Sequence, residues 1–157
     1  MKQDIRLTRR AAIRTVVGLS AVMATGACVQ GSPSSGTQAG LSVHLAERSA
    51  GSGLQPVSAP EGTIYLHPEP LVTSTDTSLS RVLVSPSGGY QVVVQLRNGV
   101  PDRIAPVLRD HRGGVLAFLV DGRLVSTQTI GDSSFRGRLT VADTSSKEDA
   151  DAIAEAI

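Results

Sequence analysis

Six consecutive apolar residues, Val115–Val120 (VLAFLV), leave the chain no polar side to turn toward water, so this segment must be covered on both faces. Six residues is strand length. Asp121-Gly122 follows at once, and both central positions of a type I′ turn need positive φ, which Asp and Gly adopt at low cost. Residues 124–130 (LVSTQTI) then return antiparallel. The pattern predicts a hairpin whose first strand lies deep in the molecule, and everything else must supply two covering layers.

The neighbouring segments supply candidates. Residues 90–97 (YQVVVQLR) alternate, with Tyr90, Val92, Val94 and Leu96 on one face, which predicts a half-buried strand. Residues 63–67 (TIYLH), 80–84 (SRVLV) and 135–141 (FRGRLTV) are further β-prone runs, each bounded by Gly, Pro or Ser turn residues. In residues 101–111, Ile104, Val107, Leu108 and His111 recur at helical spacing, so that a helix either starts late with Pro106 in its first turn or kinks there. Ser145-Ser146-Lys147-Glu148 fits a capping box, and Ala150, Ile153, Ala154 and Ile157 continue as one apolar stripe. The order predicts an α+β fold, an antiparallel sheet with two helices packed on one face.

The first 27 residues read as an address. Five of the chain's 15 basic residues lie within positions 1–14, and the following run of small and apolar residues, 16–27 (VVGLSAVMATGA), is too short to span a bilayer, which takes about 20. Arg9-Arg10 followed by an apolar pair and Arg14 resembles a twin-arginine export signal. Thr25-Gly26-Ala27-Cys28 resembles a bacterial lipobox, in which the cysteine is lipidated. Lipidation at Cys28 explains the chain's single cysteine in an exported protein; the alternative is cleavage near Ala27 and secretion. Residues 28–61 are expected to be a flexible tether, Gly/Ser-rich over 30–40, with at most a short helix in 41–48. The folded domain is then 62–157.

Composition and motifs exclude several kinds of chemistry. Those five basic residues face one of the chain's 14 acidic ones, so the remainder carries three more acids than bases and has no basic face for nucleic acid. The three histidines, His44, His67 and His111, are scattered and lack the clustered spacing of metal ligands. No cofactor motif is present, and none is expected. Gly131-Asp132-Ser133 resembles an esterase nucleophile motif, but no histidine follows position 111 to serve as its base, so it reads as a turn. A small hydrolase would require His67 or His111 beside a serine or a carboxylate in a cleft. Glu148, Asp149 and Asp151 complement a helix N-terminus.

Residues 65–70 (YLHPEP), 115–126 (VLAFLVDGRLVS), the run 135–141 and the last helix resemble, in order and spacing, the head part of the periplasmic P1 region of SecD and SecDF, auxiliary subunits of the Sec translocase. The resemblance spans residues 62–157. It implies a ferredoxin-like or related α+β sandwich and binding of protein or peptide segments, with exported precursors or Sec translocase components as partners. The chain is expected to be a non-enzymatic domain held at the outer face of the membrane by its lipid. The alternative is a cell-envelope structural lipoprotein that never meets the translocon.

Overall fold

A computed structural model describes residues 39–131 and 137–157. Arg9, Arg10, Cys28 and the first part of the expected tether lie outside the described residues, as do Asp132, Ser133 and Phe135. The fold is α+β with antiparallel strands and two helices. In chain order the elements are β1 (Leu41–Glu47), β2 (Gln55–Ala59), β3 (Gly62–Leu66), β4 (Val72–Thr73), a 3-10 turn (Ser74–Asp76), β5 (Thr77–Val84), β6 (Tyr90–Leu96), α1 (Val100–Asp110), β7 (Val115–Val120), β8 (Arg123–Thr129), β9 (Arg138–Thr144) and α2 (Lys147–Glu155).

The strands divide into two sheets. The first has the order β2-β3-β1-β7-β8, with β4 also paired to β1, and the second has the order β5-β6-β9. β1 runs along β7 from Leu41 opposite Val120 to Ala46 opposite Val115. This register accounts for the six-residue apolar run. Leu116, Phe118 and Val120 share a face with Leu45, Val43 and Leu41 and pack with Val92, Val94, Leu139, Val141 and the buried sides of α1 and α2. Val115, Ala117 and Leu119 face the other way, into a second cluster with Ala46, Ile64 and Leu66. Phe118 is fully buried, worth about 1.5–3 kcal/mol by transfer.

The hairpin turn is type I′ as its residues predict: Asp121 has φ 50° and Gly122 φ 74°. Asp121 also holds the entry to β1, since its Oδ1 accepts from the Gly40 amide at 2.7 Å and its own amide donates back to the Gly40 carbonyl. Gly40 has to be glycine there. Its φ is +85°, and a Cβ would sit 2.2 Å from the Ser74 Oγ.

The first sheet curls so that its two end strands meet. β2 packs against β8, and the Thr127 hydroxyl donates to Glu61 Oε1 at 2.8 Å, which draws the β2–β3 hairpin over the second cluster. The Ser126 hydroxyl of β8 donates to the Val141 carbonyl of β9, joining the two sheets where they meet.

Two expectations are corrected and one is narrowed. Residues 41–59 are not a tether or a short helix: they supply β1, in the middle of the first sheet, and β2. β1 is a strand because β7 and β3/β4 flank it on both sides, and every residue in it except Glu47 is buried. Within the described residues β9 is Arg138–Thr144, and the Leu96 amide donates to the Gly137 carbonyl at its start; Phe135 lies outside the described residues. The α2 cap is Ser146, whose hydroxyl accepts from the Asp149 amide at 3.3 Å; the Thr144 hydroxyl takes the Ser146 amide and holds that residue extended, so the cap falls one residue later than Ser145. Of the two readings of α1, the late start is excluded: the helix runs from Val100 with Pro106 inside it, its apolar stripe of Val100, Ile104 and Leu108 buried.

Candidate functional site

The feature that most invites a partner is β5. It stands at the end of the second sheet and, among the described residues, pairs with β6 alone. The turn that follows fixes it there: the Ser85 amide donates to the Gly89 carbonyl at 2.8 Å and the Gly88 amide to the Ser85 carbonyl at 3.0 Å. Its register sets Leu79, Arg81 and Leu83 opposite Gln95, Val93 and Gln91, and these side chains share the sheet's outer face. Leu79 and Leu83 are each 43% exposed, and Val84, at the strand end, is 75% exposed. An edge strand with unpaired backbone groups and exposed leucines is a template for another extended chain.

The polar groups around this face are mostly engaged with each other. Gln91 Nε2 donates to Asp143 Oδ2 at 3.1 Å, and Gln95 Nε2 donates to the Gly137 carbonyl at 2.9 Å. Arg81 lies exposed between the two leucines, and its guanidinium meets no carboxylate among the described residues. The sequence did not single out these residues, because 80–84 mixes apolar and polar residues on both faces. The one available signal was the leucine, arginine, leucine alternation at 79, 81 and 83.

A second cluster surrounds the insertion His67-Pro68-Glu69-Pro70. The prolines cannot donate to a ladder, so β3 and β4 approach β1 as two separate pieces, joined to it by the His67 amide on the Leu45 carbonyl and the Leu71 amide on the Val43 carbonyl. His44 lies beneath this insertion and donates from Nδ1 to the His67 carbonyl at 2.8 Å. Burial pushes its pKa below the ordinary 6.5, only partly offset by that hydrogen bond. His67 Nε2 donates to Glu47 Oε1 at 3.0 Å. The pair resembles the orienting half of a catalytic dyad, but both side chains stand open to solvent, and among the described residues no serine or threonine hydroxyl bonds either imidazole.

The remaining sequence candidates are dispersed. His111 caps α1 and donates from Nδ1 to the Val107 carbonyl at 2.8 Å. Glu148 and Asp149 open α2, and Asp151 pairs with Lys147 one turn away, which raises the lysine's pKa. A shallow open cleft of about 490 Å³ lies beside the start of α1, lined by Arg97, Asn98, Gly99, Pro101, Asp102 and their neighbours. None of the three histidines lines it. Among the described residues no group of three or more His, Cys, Asp or Glu side chains could hold a metal ion, and no helix is long and apolar enough to cross a membrane.

No family model matches the chain, and no curated protein matches it. Solved structures do. A structure of a membrane component, SecDF, that enhances protein export aligns with a TM-score of 0.59 at 21% identity, over 76% of this chain and 61% of that one. SecDF in its super-membrane-facing form aligns with a TM-score of 0.59 at 22% identity, over 76% of this chain and 18% of that one. This chain therefore spans less than two thirds of either neighbour. The two antiparallel sheets and two helices make a SecDF-like fold.

Proposed function

We propose that this chain is an exported, membrane-tethered, non-enzymatic domain that binds extended segments of other proteins at the outer face of the membrane and assists their export. The observation that carries this reading is the SecDF-like fold over 76% of the chain. An open sheet edge with exposed leucines supports a binding role.

Photo-crosslinking in the native envelope tests the proposal. The expected outcome is crosslinks to exported precursors before they fold, together with co-purifying Sec components. Crosslinks confined to folded envelope proteins would overturn it in favour of a structural lipoprotein. Membrane attachment is read in the same preparation: Cys28→Ala is expected to move the protein from the membrane fraction to the soluble one.

A further inference from the structure

We infer that the free edge of β5 receives an extended segment of a client polypeptide as a fourth strand of the second sheet, with an acidic residue of that segment opposite Arg81 and apolar residues opposite Leu79 and Leu83. The inference rests on the binding role proposed above and names its site and the pattern it selects.

The backbone gives affinity without sequence preference, because the outward amides and carbonyls of an edge strand pair with any extended chain. Selectivity comes from the side chains. Alternate residues of the incoming strand lie on the outer face, beside Leu79, Arg81 and Leu83 in turn. Apolar residues at the two ends cover leucines that are 43% exposed in the free protein. A carboxylate at the middle position meets a guanidinium whose partner across the sheet is the uncharged Val93, while Asp143, in register with Leu83 through Gln91, is bonded to Gln91.

The same geometry argues against a second copy of this chain as the occupant. Antiparallel self-pairing about a two-fold at Arg81 is the register that sets Leu79 against Leu83, and it also sets Arg81 against Arg81. Like charges directly opposite destabilise a strand pair. Moving the axis by one residue in either direction separates the arginines only by setting a leucine against Arg81. The edge is thus disfavoured for itself and open to an acidic, apolar segment.

The test uses the purified full chain and two synthetic peptides of about nine residues, a length that fills a strand. Both alternate valine with threonine; one carries glutamate in place of the central valine and the other carries lysine. The glutamate peptide is expected to bind about tenfold more tightly than the lysine peptide, and Arg81→Glu to reverse that order. Amide exchange in β5 should slow on binding, while Leu83→Ser weakens both peptides without changing the melting temperature. Equal affinity for the two peptides, protection outside β5, or self-association that competes with the peptides would overturn the inference. The two proposals fail separately. Precursor crosslinks that persist undiminished in Arg81→Glu would remove the β5 site and leave the export role, whereas charge-selective peptide binding without precursor crosslinks would do the reverse.

Discussion

At the scale of single residues, His44 is the most exacting position. It sits on the middle strand of the first sheet, 9% exposed, with its Nδ1–H committed to the His67 carbonyl. Burial disfavours the imidazolium, so the folded-state pKa lies below the ordinary 6.5 that the unfolded chain approaches. Between those two values the unfolded chain binds more protons than the folded one. Stability is therefore complete above pH 6.5 and falls as the pH drops through the folded-state pKa, below which the loss levels off. Comparing urea midpoints at about pH 7.5 and about pH 5 in wild type and His44→Gln isolates the contribution of His44. The wild type is expected to lose more stability over that interval than the variant; equal losses would mean that His44 titrates as freely in the fold as outside it.

At the scale of elements, the fold turns on the place where the chain leaves the first sheet for the second. β4 ends at Thr73, the 3-10 turn carries the chain across, and β5 begins at Thr77. Asp76 holds this crossing together. Its Oδ2 accepts from the Thr73 amide at 2.9 Å, its Oδ1 from Arg103 of α1 at 2.9 Å, and its carbonyl takes the Arg97 amide at the end of β6. Asp76→Ala is expected to cost about 2 kcal/mol in denaturant unfolding, and Arg103→Ala under about 1 kcal/mol, because the exposed ion pair is the weakest of these bonds. Equal costs would assign the stabilisation to the ion pair alone. Neither this crossing nor the choice of β5 as an edge was legible in the sequence, since both depend on sheet order. The hairpin was legible because Val115–Val120 has one solution and Asp121-Gly122 one turn type. The α2 stripe was legible because its buried face, from Ala150 onward, is set by local spacing.

At the scale of the whole molecule, β1 decides where the domain begins. Its sequence, LSVHLAE, places Ser42 and His44 among its apolar residues and precedes a stretch rich in Gly and Pro, so by itself it carries little strand preference. Tertiary pairing overrides that weakness. β1 contributes Leu41, Val43 and Leu45 to one cluster and Ala46 to the other, and it pairs with β7 over six consecutive residues. A chain that begins at Gly62 keeps the whole segment the sequence marks as a domain but loses this strand. Leu116, Phe118 and Val120 would then lack half of their layer, and β7 would present a long apolar edge, the kind of surface on which chains aggregate. The shortened chain is expected to show no cooperative thermal transition and to sediment as large assemblies, whereas the full chain unfolds in one step. A cooperative melt of the Gly62-start chain within a few degrees of the full chain would show that β1 is an addition to a core complete without it. The expected failure would instead establish that the second sheet, β5-β6-β9, depends for its support on a strand that passes for a linker in the sequence.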